Sequence, residues 1–498
     1  MGLNFKEKLG RIFAHLIYLK NKKWIKNPIR YQAKTFDYLV RKGSNTSFGR
    51  DHFFNNIKTY DDFKDNVPIK DYEDIKPYID KIFSGQINVL WPGKPIYFAK
   101  TSGTTSGLKY IPITKESMRT HIISARDSLL NYIHETGNSS FINGKHIFLQ
   151  GSPILEEKNG IHIGRLSGIA AHYVPNYLQK NRMPTWKTNC IEDWEKKVDM
   201  IIDETLSQNM TLISGIPSWV QMYFEKIISK RKKRISEIFE NFSLFVHGGV
   251  NYDPYKTLFK KLIGKQIDSL EVFPASEGFF AYQDKQKETG LLLLVNNGIF
   301  YEFIEARDFG VNNDRIPLSQ VKKGIEYVMI ISTSAGLWAY NLGDTIKFVC
   351  LSPYRVIVTG RIKHFISAFG EHVIGKEVET AIKIASGKTF CVIREFTVAP
   401  QINPSSGLPY HEWFIDFDKR PDNISKFSLH LDKEMRNQNL YYDDLISGKI
   451  LKKLVVTEVV KDGFKKYMKE IGKLGGQNKV PRLSNDRIIV EKLISKRK

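Results

Sequence analysis

Cysteine is scarce. Only Cys190, Cys350 and Cys391 occur, far apart, odd in number and without a CxxC spacing. That pattern speaks against a disulfide framework and a cysteine zinc site, and it fits a reducing, cytoplasmic setting. Long apolar runs are missing as well, so no stretch offers the roughly 20 residues that cross a bilayer. Internal repeats and low-complexity segments are absent. Acidic residues are outnumbered, 53 against 75 lysines and arginines, which leaves a formal charge of +22. A field of that sign favours anions: nucleotides, acidic metabolites, nucleic acid or anionic lipid. The excess is dispersed, and its densest run, "SKRKKRISE" from Ser229, reads as a solvated turn closing a helix. No helix-turn-helix, zinc-finger or aromatic ribonucleoprotein pattern accompanies the charge, which argues against a nucleic-acid-binding protein.

What is present supports a large folded protein. Of 498 residues, 42% are hydrophobic and 12% aromatic, enough for sizeable cores in more than one domain. The first segment, "MGLNFKEKLGRIFAHLIYLKNKKW", is basic and periodically apolar. It has no uninterrupted apolar core and reads as an amphipathic helix packed on the domain, with surface membrane contact as the lesser alternative. Gly2 is followed at position 6 by Lys6, where a myristoylation signal has Ser or Thr. Residues up to about 90 read as mostly helical. From there to Gly360 short β-prone runs alternate with helical patterns, the mark of an α/β class. The expected division is a large domain over 1–360 and a small α+β domain over 361–498.

The chemistry concentrates in four places. "YFAKTSGTTSGLKYIPIT" sets Gly, Ser, Thr and Lys between two strand patterns. A turn over Thr101–Lys109 offers backbone N–H groups, hydroxyls and an ammonium, which suits a polyphosphate. It is not a Walker loop, because Leu108 separates Gly107 from Lys109 and Pro112 announces a strand. "VFPASEGFF" groups an aromatic ring, Phe273, with Ser276 and Glu277, a carboxylate able to hold Mg²⁺ beside phosphates. "AGLWAYNLGDTIKF" places Asp344 after Gly343 at an expected strand–turn junction, where it can accept from ribose hydroxyls. "TGRIKHFISAFGEHV" follows, with Arg361 at the domain junction. Each alone has an ordinary reading: a surface hairpin, a strand-end acid, a Gly-Asp turn.

Together, in this order, they resemble the adenylate-forming superfamily, which activates carboxylic acids as acyl-AMP. More closely, the chain resembles the bacterial branch of the auxin-responsive Gretchen Hagen family of acyl acid amido synthetases. The likeness extends to "FGRDHFFNNIKTYDDFKDNVPIKDYEDIKPYI", "ISGIPSW" and "LDKEMRNQNLYYDDLISGKI". It implies a large adenylation domain with mixed sheets and flanking helices, and a small mobile C-terminal domain turning about 361–364. It implies ATP and Mg²⁺, a small carboxylic acid and an amine or amino acid as reactants, and a monomer without stable membrane insertion.

The resemblance also implies residue roles. The phosphate loop maps to Thr101, Ser102, Gly103, Thr104, Thr105, Ser106 and Gly107, with Lys109 beside it. The family's Tyr-Ala-Ser-Ser-Glu element falls on Phe273 to Glu277, with Phe273 in place of tyrosine and Pro274 intruding; Phe273, Ser276 and Glu277 carry its roles, the last as metal ligand and catalytic group. Its Tyr-Arg-Val-Gly-Asp element falls on Tyr340 to Asp344, with Asn341 where arginine is usual. Arg361 corresponds to a ribose-contacting arginine and Lys363 to the hinge. "GGQNKVPRL" makes Lys479 the mobile lysine for the α-phosphate. The acyl pocket is less sharply marked: Trp219, Met222 and Tyr223 on one helix, with His172 and His247, are its candidates, and core packing is the competing reading. A thiol acceptor, as in acyl-CoA or acyl-protein synthetases, is the alternative to an amine. Neither acid nor amine is named by the residues.

Overall fold

The structure, a computed structural model, describes residues 5–494 apart from 105–106, 175–178, 251, 311, 362–364, 367, 372 and 472–479. It divides into two compact units. The first holds Met1–Thr101, Lys109–Glu192 and Lys197–Ile362, and the second holds Ser102–Leu108, Asp193–Lys196 and Lys363–Lys498.

In the first unit the chain opens with helices, among them Phe5–Ile25, Pro28–Gly43, Tyr60–Asn66 and Tyr72–Phe83. Their starts are written locally. Thr59 and Asp62, and then Asp71 and Asp74, form capping boxes that satisfy the first backbone N–H groups. A further helix, Lys115–Thr136, is not evident from hydrophobic periodicity, because its buried positions include Ser117, His121, Ser124, Asp127 and Ser128. The polar face is answered by polar partners: Asn21 donates to Asp127 at 3.0 Å and Trp24 donates to Asn21 at 3.1 Å.

The main sheet has 12 strands. From one end, Arg182–Met183, Lys145–Phe148, Met210–Ser214, Leu244–Gly248 and Asp268–Ala275 run parallel. The order then continues antiparallel through Gly278–Tyr282, Leu291–Leu293, Tyr354–Arg361, Tyr340–Leu351, Glu326–Thr333, Ile299–Glu305 and Ile316–Pro317. The runs "MTLI" and "LFV", buried at successive positions, follow from parallel strands covered on both faces. Two of these strands approach closely at Gly248, where a Cβ would lie 2.2 Å from the Val272 carbonyl oxygen. A 4-stranded sheet sets Gly107–Ile113, Tyr97–Thr104, Ile161–Gly164 and Glu156–Lys158 side by side.

The second unit carries a 3-stranded sheet of Val392–Gln401, Tyr410–Lys419 and Val455–Glu458, packed with helices Gly375–Thr389 and Ile424–Gln438. Inside it Glu371 pairs with His411 at 2.8 Å, both fully buried, and the Tyr442 ring stacks on that histidine.

Two expectations change, while the amphipathic N-terminal helix packs on the domain as expected. The expected open turn over Thr101–Lys109 is mostly strand, leaving only residues 105–106 between Thr104 and Gly107. Threonine and β-prone flanks extend the ladder into what composition alone reads as loop. Asp344 does not end a strand but lies inside the 12-residue strand Tyr340–Leu351. The N-terminal helix packs on the domain along one side only.

Candidate functional site

The glycine-rich hairpin is rooted in the core by Phe98, Ala99, Ile111 and Ile113, all fully buried. Thr101 is half-buried near its tip; Thr105 and Ser106, and the side chains of Ser102 and Thr104, lie outside the described residues, while Gly103 and Gly107 are strand positions. Its base is held from the helical region. The Tyr110 N–H donates to the Tyr72 hydroxyl at 2.9 Å, and the Lys109 ammonium lies 5.9 Å from the Tyr72 ring centroid. Lys100 pairs with Glu156 on the neighbouring hairpin at 2.5 Å.

The same helical segment reaches the second element. Lys70 donates its N–H to the Ala339 carbonyl at 3.0 Å, and Asn341 donates back to Lys70 at 2.8 Å. Tyr340, between them in the chain, is fully buried. Thus "NVPIKDYED", a stretch with no chemical role legible in sequence, ties the glycine-rich hairpin to the strand that carries Asp344. Lys70 and Tyr72 are supports of the candidate site that sequence reasoning missed. The only signal was their place in the resembling segment.

Asp344 owes its setting to a bulge. Against Glu326–Thr333, the ladder advances from Val328–Thr345 to Ile330–Asn341, so Leu342, Gly343 and Asp344 bow out of register. Bulges of this kind re-aim a side chain. Gly343 has φ +87, a left-handed conformation that a side chain would strain, and its N–H donates to Asn341 Oδ1 at 2.9 Å. The residue standing in place of the usual arginine therefore closes the turn that presents the aspartate. On its other side Asp344 lies directly opposite Arg361, and Thr345 opposite Gly360. Asp344 is 6% exposed. The Arg361 side chain, Lys363 and Lys479 lie outside the described residues.

Phe273, Ser276 and Glu277 form the third element. Ser276 and Glu277 are the two-residue turn between Asp268–Ala275 and Gly278–Tyr282, with Ala275 opposite Gly278. The Phe273 ring meets Phe280 edge-on at 5.1 Å. It stays half-buried against the same apolar cluster that contains Ala99, Ile111, Tyr340 and Leu342. One core therefore carries the roots of all three segments.

The parallel strands end side by side at Phe148, Ser214, Gly248 and Ala275, and in such sheets ligands bind beyond the carboxyl ends. His247 sits there, 3% exposed, its ring 4.2 Å from Tyr252 and 5.1 Å from Phe245. Its Nδ1 is buried and makes no hydrogen bond among the described residues. Burial, reinforced by Lys256, pushes the imidazole down to about 3, so it is neutral near pH 7. Glu271 lies opposite it in the ladder, and burial raises that carboxyl.

The other pocket candidates divide. Trp219 and Met222 are buried on the helix Pro217–Arg231 that follows the Met210–Ser214 strand. Tyr223, fully buried, shares a 2.7 Å hydrogen bond with Thr205 and faces the helical core. His172 is half-buried, 2.9 Å from the Pro153 carbonyl and edge-on to Trp186. Lys197, not suspected from sequence, is buried at the end of the Lys145–Phe148 strand. Its ammonium donates to Asn189 at 2.6 Å and Gln150 at 3.3 Å, and burial lowers it to about 8.

The histidine carries a pH prediction. Between about 6.5 and 3 the unfolded chain binds a proton at His247 that the folded chain refuses, so stability is lost as pH falls. At pH 4.5 the loss from this group is about 2–3 kcal/mol. Glu271, Asp253 and Lys256 also face it, and Glu271 acts in the opposite sense. Urea unfolding at pH 7 and 4.5, in wild type and His247→Gln, isolates the histidine. The variant is expected to lose less stability on acidification; an identical loss in both would show that the imidazole titrates normally.

Comparison with known proteins adds ancestry to this geometry. The GH3 family N-terminal domain matches residues 20–188, the GH3 family central domain 292–361 and the GH3 family C-terminal domain 376–488. Jasmonoyl–L-amino acid synthetase JAR4 of Nicotiana attenuata is 21% identical over 486 residues, covering 81% of this chain and 82% of that protein. Among solved structures, the GH3.15 acyl acid amido synthetase superposes with a TM-score of 0.61 at 16% identity, covering 97% of this chain and 96% of that one. A 2-hydroxyisobutyryl-CoA ligase in complex with 2-HIB-AMP and CoA gives 0.59 at 11% identity, covering 94% and 91%. At these identities the two structures share the fold with this chain.

Proposed function

The chain belongs to the GH3 family, and from that membership we infer that it is an ATP-dependent ligase that adenylates a carboxylic acid and passes the acyl group to an amine. The observation that carries the reading is the Gly343–Asp344 bulge, set opposite Arg361 and joined through Lys70 and Tyr72 to the glycine-rich hairpin. It puts an almost buried carboxylate beside an arginine backbone position, on the same core as a turn rich in hydroxyls and N–H groups.

A carboxylate is a poor electrophile at neutral pH, being negatively charged and without a leaving group. In the first step its oxygen attacks the α-phosphorus of ATP, the bond to the β-phosphate oxygen breaks, and pyrophosphate leaves. Such a transfer needs positioning and charge neutralisation more than covalent chemistry. Asp344 accepts from the ribose hydroxyls and Arg361 fixes the nucleoside beside it. The hairpin from Thr101 to Lys109 holds the phosphates, and Lys479 is assigned the α-phosphate by the family resemblance. Magnesium, when bound, neutralises phosphate charge; Glu277, on a two-residue turn beside Ser276, has the donor chemistry to hold it, since Mg²⁺ prefers one or two carboxylates plus phosphate and water oxygens. In the second step an amine attacks the acyl carbonyl, the amide C–N bond forms and AMP leaves with the bonding pair. The relatives are named for jasmonoyl or indole-3-acetic acid and, in the first case, an amino acid; for this chain we assign a small carboxylic acid and an amino acid or related amine. To the neutral His247 and the buried Trp219 and Met222 we assign the apolar acyl group.

The test is ATP–[³²P]pyrophosphate exchange with Mg²⁺ over a panel of aryl, indolyl and fatty acids. Acid-dependent exchange is expected. Product masses with amines and with coenzyme A then separate an amide from a thioester. ATP binding without exchange for any acid would overturn the assignment for those acids.

A further inference from the structure

The N-terminal helix Phe5–Ile25 has two faces with different fates. One face packs: Ala14, Asn21 and Trp24 are buried, Ile17 joins the apolar cluster beneath, and Asn21 bonds to Asp127 of the helix Lys115–Thr136. The other face is apolar and uncovered. Phe5, Leu9, Ile12, Phe13, Leu16 and Leu19 are between 44% and 73% exposed. Their spacing of three and four residues places them in one stripe along about four turns. A stripe of that size left in water is costly unless it has an occupant.

Charge chooses the occupant. Lys6, Lys8, Lys20 and Lys23 flank or cap the stripe, and Arg11 and Lys22 lie further round the helix. Glu7 is the one acid of this helix, and it accepts from Asn143 Nδ2. A second copy docked stripe to stripe would bring lysine rows together. A surface of anionic headgroups accepts the apolar stripe into its acyl boundary and the lysines at its phosphates. Among the described residues no helix is long and apolar enough to cross a membrane, which leaves a helix lying in the interface plane.

We propose that this face docks the protein on an anionic lipid bilayer, the helix lying flat with Phe5, Leu9, Ile12, Phe13, Leu16 and Leu19 immersed. The inference stands apart from the ligase reading, since nothing in the nucleotide site contributes to it.

The experiment is flotation of the full chain with vesicles of phosphatidylcholine alone and with about one-third phosphatidylglycerol. Wild type is expected to bind the anionic vesicles at least about ten-fold more than the neutral ones, with loss at high salt. The double substitution Leu9→Ser and Leu16→Ser, both at exposed positions, is expected to lower that binding by at least about ten-fold while ATP binding is retained. Lys8→Glu with Lys20→Glu is expected to abolish the preference for anionic vesicles. Equal binding by wild type and the leucine variant would overturn the proposal. So would absence of vesicle binding together with a light-scattering mass that is dimeric in wild type and monomeric in the variant.

Discussion

Replacing Asp344 by alanine is expected to lower acid-dependent pyrophosphate exchange by at least about 100-fold while leaving the fold intact. The carboxylate sits in a bulge, 6% exposed, between the Gly343 turn and the strand position of Arg361. A carboxylate carried on a backbone bulge has its place in the fold before the nucleoside arrives. Its loss removes charge-assisted hydrogen bonds to two hydroxyls, each worth about 1.5–3 kcal/mol. Asp344→Asn keeps the shape and one acceptor oxygen, so an intermediate rate is expected. Exchange assays with circular dichroism on the same samples check both variants. An Asp344→Ala enzyme within a few-fold of wild type would remove the bulge from the active centre.

The largest stability effect is expected where the helical region is anchored to the sheet. Glu302 and Arg315 form a buried pair at 2.7 Å, 0% and 4% exposed at their side chains. The Tyr60 hydroxyl lies 3.0 Å from both Glu302 Oε1 and the Arg315 carbonyl, and Arg315 donates to the Val67 carbonyl at 2.6 Å. Burial raises the Glu302 carboxyl and the neighbouring guanidinium opposes that shift. Glu302→Ala leaves a buried guanidinium without its counter-charge, at a cost of about 3–5 kcal/mol. Chemical denaturation reads this directly. Glu302→Ala combined with Arg315→Met is expected to cost less than the two single changes summed, because the stranded charge is gone. A single-variant cost below about 1 kcal/mol would mean that the site relaxes or admits water. Val67 leads within three residues to Lys70, so loosening this pair should also weaken exchange through the Lys70–Tyr72 tie.

Much of the architecture was legible in the chain. Alternation of strand and helix patterns pointed to α/β, and the 12-stranded sheet with its helices is of that class. The helix Lys115–Thr136 was hidden because its inward positions are polar and become sensible only beside Asn21. The reach of the strands into the Thr101–Lys109 segment was hidden for the opposite reason: glycine and serine speak for a loop, and the neighbouring strand overrules them.

The sequence by itself determined the inventory: a glycine-rich turn, Phe273 to Glu277, Gly343–Asp344 and Arg361, in an order specific enough to mark the family. Local chemistry sufficed because caps, glycines and motif spacings act within a few residues. Only the tertiary structure decided what those residues face. Pairing of distant strands put Asp344 opposite Arg361 and made a bulge of its neighbours. Hydrogen bonds across long stretches of chain turned Lys70 and Tyr72 into supports. Packing on one side of Phe5–Ile25 left the other side bare. Such contacts are set by registers and burial that close over tens to hundreds of residues, and no local pattern carries that information.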